Sequence, residues 1–244
     1  MSTETDGFDA QVDSVAALGE PNRRALYRFV VAQPAAVSRD HAAAGVGVAR
    51  HVAKFHLDKL EFDGLLDVEY SRPAGRSGPG AGRPAKLYRR ADRDFAVSLP
   101  GRRYDLAARV MAQAITTASA TGAPLRDALA DAARETGQGL GRQARHTLGA
   151  RPSRAAAIKA ITQMLESNGY EPRRDGTAIT LANCPFHSLS QDYTELVCGM
   201  NLDLIEGLVQ AVDTSGLRPA LTPAPNQCCV SLAAPAGSHP AASQ

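Results

Sequence analysis

The sequence predicts an α+β protein in two parts, a helical segment closed by a basic β-hairpin and a helix-and-strand segment that carries every cysteine. Three observations predict it. Residues 38–64 read as a short helix, a glycine turn and a longer helix. Residues 65–90 read as two strands around a Gly- and Pro-rich tip. All four cysteines, Cys184, Cys198, Cys228 and Cys229, fall in the last quarter of the 244-residue chain. That length holds two small domains with a core each.

Taken in order, residues 1–11 are acidic and polar, which predicts a disordered tail and excludes a signal peptide. A helix is expected from about Asp13 to Ala32, with Val15, Leu18, Leu26, Phe29 and Val30 as its apolar stripe. Gly19–Pro21 sets a short lead-in apart from its main part, and Pro34 ends it. Ser38 caps the short helix SRDHAAAG. Gly45-Val46-Gly47 turns the chain, and a helix follows from Val48 to about Phe62, stopped by Gly64. Helix, turn, helix is the layout of a helix-turn-helix. On a helical wheel Val48, Val52, Ala53, Phe55 and Leu60 spread over an apolar side. Arg50, His51 and Lys54 gather opposite, near the helix start, where a recognition helix meets the major groove.

On an isolated helix such a cluster is more simply a solvated face. The next segment favours nucleic acid. Leu65–Ser71 and Lys86–Arg90 alternate as paired strands, joined by SRPAGRSGPGAGRPA. Residues 71–91 hold six basic residues and no acid. A mere flexible loop explains the glycines but not the one-sided charge. A basic tip on a hairpin is a wing, suited to phosphates or a minor groove. Arg72, Arg76, Arg83 and Lys86 therefore join Arg50, His51 and Lys54 as candidate DNA contacts. Over residues 23–93 there are 14 Lys and Arg against 7 Asp and Glu, and from residue 157 onward 4 against 8, so only the first part invites a polyanion.

Leu99-Pro100-Gly101 reads as a hinge, placing a DNA-binding domain at 12–98 and a second domain at 99–233. Alanine-rich helices are expected at Tyr104–Ala120 and Leu125–Leu148, candidates for dimer contacts or for core packing, and a third at Arg154–Ser167. Tyr170–Arg173 and Thr177–Ala182 suit a hairpin around Arg174-Asp175-Gly176. Leu196–Val212 is helical, Pro219–Pro225 a proline-rich crossing, Cys228–Ala233 a strand, and residues 234–244 a low-complexity tail. No apolar run reaches the ~20 residues that span a bilayer, so a cytoplasmic protein with free thiols and no membrane partner is expected.

Cys184, Cys198 and Cys228 lie at the ends of three predicted elements, where thiolates can converge without disrupting a core. Such a set suits an iron–sulfur cluster or zinc. Strand alternation would send Cys228 and Cys229 to opposite faces, leaving one of the pair to bind. His187, three residues after Cys184, is then the nearest fourth donor. Small core thiols and a surface histidine remain the plain alternative, since this is no CxxC…CxxC pattern. An enzyme built on Cys184 and His187 lacks an acidic orienter in the motif and a glycine-rich oxyanion or phosphate loop. The zinc-deaminase pattern is missing too.

The segments LGEPNRRALYRFV, GVGVARHVAKFHLDKLEFDGLL, GRPAKLYRR and NCPFHSL…ELVCGMNLDLIEGL…CCVSL together resemble the SufR-type regulators over residues 19–232. These are winged-helix repressors that carry an iron–sulfur cluster and control cluster-assembly genes. The resemblance implies an N-terminal winged helix-turn-helix followed by an α/β sensor domain with a cysteine-ligated metal site. It places the cluster cysteines on Cys184, Cys198 and Cys228. It further implies an iron–sulfur cluster, two-iron or four-iron, for which zinc is the alternative that the donor set admits; operator symmetry predicts a homodimer on palindromic double-stranded DNA. The adjacent Cys228 and Cys229 depart from the CxxC that ends the cyanobacterial members, which leaves the fourth ligand open.

Overall fold

A computed structural model of the 244-residue chain describes residues 3–71, 84–175 and 178–233, with side chains from residue 8 onward. It is a mixed α and β protein that divides into two compact units, Met1–Val97 and Ser98–Gln244.

The first unit runs α1 (Thr3–Ala17), α2 (Pro21–Val31), β1 (Val37–Ser38), α3 (Arg39–Val46), α4 (Arg50–Phe62), β2 (Leu66–Ser71) and β3 (Ala85–Arg90). The expected long first helix is two helices. Pro21 cannot continue a hydrogen-bond ladder but fits a first turn, and the Glu20 carboxylate caps α2 by accepting from the Asn22 and Arg23 amides. Residues 3–11, expected as a tail, belong to α1, because a polar composition does not separate an exposed helix from coil. The Ser14 hydroxyl donates to the Asp63 carbonyl at 2.7 Å, tying α1 to the end of α4. Ser38 Oγ accepts from the His41 amide, and Gly47 closes α3 at φ +74°, a conformation that costs glycine little. Leu26, Ala42, Ala53, Leu57, Leu60 and Tyr88 are fully buried between the helices and the antiparallel sheet β1-β3-β2. Phe55, expected on the apolar side of α4, is 65% exposed.

The second unit holds α5 (Tyr104–Thr121), α6 (Leu125–His146), α7 (Arg154–Ser167), β4 (Pro172–Asp175), β5 (Ala178–Leu181), α8 (His187–Asp192), α9 (Thr194–Val212), β6 (Arg218–Leu221) and β7 (Val230–Ala233). Its sheet, in the order β4-β5-β7-β6, is antiparallel at every pairing, so this unit is α+β rather than the α/β expected. The proline-rich crossing contains β6. Pro219 is tolerated because β6 is an edge strand, where a missing donor breaks no shared ladder. Ile161, Leu181, Phe186, Val212, Val230 and Leu232 fill the core.

Within it α6 and α9 lie backbone to backbone. A Cβ on Gly137 would stand 1.9 Å from the Leu204 carbonyl oxygen, and one on Gly207 2.1 Å from that of Arg134. The small-residue face of α6, a candidate dimer contact in the sequence, is therefore occupied within the chain.

Candidate functional site

β5 ends at Leu181, and the chain turns through Asn183 and Cys184 into α8. Asn183 fixes this turn from a buried position. Its amide donates to the carbonyls of Gly101 (2.9 Å) and Gly169 (2.5 Å), while its oxygen accepts from Arg102 (2.5 Å). Arg102 also donates to the Cys184 carbonyl at 3.3 Å, and the Arg103 amide to the Pro185 carbonyl at 3.1 Å. The segment leading into the second unit is thus bonded directly to the first cysteine's backbone.

Cys198 lies in the second turn of α9. Cys228 and Cys229 lie in the turn before β7, where the Cys228 amide donates to the Leu181 carbonyl and the Cys229 carbonyl accepts from Thr222, both at 2.7 Å. The strand begins only at Val230. The strand expected from Cys228 therefore starts two residues later, and period-two alternation does not apply to the cysteine pair. The thiols act on one another's proton affinity in pairs, Cys184 with Cys228, Cys228 with Cys229 and Cys229 with Cys198.

Cys184, Cys198 and Cys228 are buried, and Cys229 is partly exposed. The Cys228 contact and burial together push the Cys184 thiol well above its ordinary value. Burial raises Cys198. Cys228 is pulled down by Cys184, but Cys229 and burial outweigh that and carry it to about 11.

His187 stands apart. It opens α8 on the surface, its ring 3.2 Å from the Gln191 amide nitrogen. Its backbone amide, not its ring, serves the turn by donating to the Cys184 carbonyl at 3.1 Å. Cys229 lies beside Cys228 in the same turn and is partly exposed.

Among the described residues no three His, Cys, Asp or Glu side chains stand around one point as ligands of an ion. Four sulfurs from three segments in one buried neighbourhood nevertheless have the composition of an all-cysteine donor set, as used by structural zinc and by iron–sulfur clusters. The residues fit such a group by donor type.

In the first unit Arg50, His51 and Lys54 are exposed along the start of α4. Arg50 pairs with Asp40 at 2.5 Å, both side chains largely exposed. Lys86 is a different case. Its ammonium reaches Asp58 at 2.8 Å and also Glu61, both on α4, and Asp58 accepts from the Tyr88 hydroxyl at 2.8 Å. Burial alone would lower the Lys86 pKa, yet the Asp58 and Glu61 bonds outweigh it and the net shift is upward. Lys86 is thus committed to joining β3 to α4. Arg72, Arg76 and Arg83 lie outside the described residues. Among the described residues no helix is long and apolar enough to cross a membrane. Comparison with protein-family models, curated proteins and solved structures finds no match.

Proposed function

We propose that the chain is a DNA-binding transcriptional regulator, a repressor of the SufR type, whose second unit holds an iron–sulfur cluster on cysteine sulfurs. The observation that carries this reading is the burial in one unit of Cys184, Cys198 and Cys228 from three separate segments, with Cys229 next to Cys228 and the thiols acting on one another's proton affinity. Cys184, Cys198 and Cys228 are the ligands the sequence nominates, and Cys229 is the fourth in place of His187. A bound cluster supplies a redox- and iron-responsive group whose loss frees four thiols to repack. The raised thiol pKa values work against the enzyme alternative, because a nucleophile acts as thiolate.

In the first unit, α3 and α4 around Gly47 with the β2–β3 hairpin support a winged helix-turn-helix reading. Arg50, His51 and Lys54 would face the major groove of a palindromic operator, bound by a homodimer. Asp40 must release Arg50 for that contact, an exposed pair that costs about 0–1 kcal/mol to open. The bonds from Arg102 and Arg103 to the Cys184 turn offer a route by which the state of the site reaches the chain leading to the first unit.

The mutual effect of the Cys184 and Cys228 thiols, and of Cys229 on Cys198, favours a second reading, a zinc-structured or thiol-redox regulator. One experiment separates them. Anaerobic purification followed by iron, sulfide and zinc analysis is expected to return iron with sulfide. Stoichiometric zinc without sulfide selects the zinc regulator, and neither metal selects the thiol switch. Salt-independent binding to its own promoter DNA, or none, removes the DNA reading.

A further inference from the structure

Asn201 is 0% exposed, on a helix whose buried face is otherwise apolar: Val197, Met200, Leu204, Ile205 and Leu208. A primary amide in such surroundings is unfavourable unless each polar atom finds a partner. Both ends of this one do. Its oxygen accepts from the Tyr170 hydroxyl at 2.5 Å, and its nitrogen donates to the Cys228 sulfur at 3.2 Å. Tyr170 is itself buried, edge-on to Phe186 two residues beyond Cys184. Asn201 follows Cys198 by three residues on α9, so one helix face carries both a sulfur and an amide aimed at the next sulfur.

The chemistry of the pair decides what it is for. A thiol offers an amide a weak bond in either direction, so an apolar side chain would fill the position at less cost. A metal-bound sulfur has no proton and can only accept, and then a fixed N–H is its natural partner. Tyr170, donating to the oxygen, keeps the NH2 end turned to sulfur. We propose that Asn201 is the amide donor that tunes the Cys228 sulfur as a metal ligand, and that Tyr170 is the positioning residue that orients it. The inference rests on the reading of the cysteines as a metal site and adds how that site is adjusted. Donors to ligating sulfur withdraw charge from it, and with iron–sulfur clusters they take part in setting the reduction potential.

Cobalt(II) alone is the probe, added to the full-length metal-free protein and read by the sulfur-to-cobalt charge-transfer band and by competition with a chelator. Asn201→Leu keeps the volume and removes the donor. Its cobalt affinity should fall by about 10- to 100-fold, the usual effect of losing an outer partner of a ligand, and the band should move. Asn201→Asp should fall further, since a carboxylate faces the sulfur's charge. Tyr170→Phe should move the band the same way by less, and it decides the matter if the Asn201 variants fail to fold by circular dichroism. A folded Asn201→Leu, or failing that Tyr170→Phe, with wild-type affinity and band position overturns the inference. A wild-type protein that gives no sulfur-to-cobalt band overturns the metal-site reading itself, a separate result.

Discussion

A thiol buried in a protein holds its proton beyond the usual range unless a partner favours the thiolate, and this sets the pH behaviour of the site. Cys228 is carried to about 11, and Cys184 and Cys198 are raised as well. Ligation needs thiolates, so binding releases protons. Metal affinity of the metal-free protein should therefore climb with pH from 7 upward, measured by cobalt titration at stepped pH. For stability the sign is opposite. A folded-state value above the unfolded one contributes below pH ~9, and that contribution is lost as pH rises through about 11. Melting of the metal-free protein should accordingly fall across that window. Replacing Cys184, Cys198 or Cys228 by Ser should abolish iron and sulfide retention, and Cys229→Ser should now lower it too. His187→Ala, exposed at a helix start with its ring beside Gln191, should retain wild-type content. Full content in Cys184→Ser would sink the ligand assignment.

Between elements, the α6–α9 contact is the most exacting in the second unit. Glycine in a helix costs about 1 kcal/mol relative to alanine, which is tolerated here because the backbones approach where a Cβ would sit. Gly137→Ala or Gly207→Ala should destabilise the protein by about 1–3 kcal/mol or more, read from the urea midpoint. Lys86→Met should lower stability by about 1 kcal/mol, since its carboxylate partners keep some water. It should leave the salt slope of DNA binding intact. A slope flattened by about one unit would restore Lys86 as a phosphate contact. The helix pair at residues 39–62 was legible from the sequence because its signals are local: Ser38 as the cap and Gly47 in the turn. β1 and α8 are too short to show a period, and Pro219 disguised β6. Phe55 fitted the apolar pattern of α4 but not its buried side, since periodicity gives a stripe and not its edges. The last strand was placed two residues early, so the rule for strands was applied to Cys228 and Cys229 in the turn just before it began.

At the scale of the whole molecule, a regulator needs the cysteine site to bias the first unit, and a ligand shifts an equilibrium only by its unequal affinity for two states. The chain offers one short path. Ser98 begins the second unit, and the chain is soon bonded to the Cys184 turn through Gly101, Arg102 and Arg103. Gly101 and Gly169 also touch, with a Cβ on the former 3.0 Å from the Cα of the latter, so the segment has little room to slip independently of the turn. Drawing Cys184 toward a metal would move its carbonyl, and the Arg102 guanidinium that holds that carbonyl would move with it. Arg102 is no ligand, so Arg102→Ala should keep full metal content. The ratio of promoter-DNA affinities between loaded and metal-free protein should shrink toward one, a loss of about 1–3 kcal/mol of coupling. Asn183→Ala serves as the companion variant, because it frees Gly101 and Gly169 together. If both variants bind metal normally and the affinity ratio stays at its wild-type value, the signal leaves the cysteine site by another route.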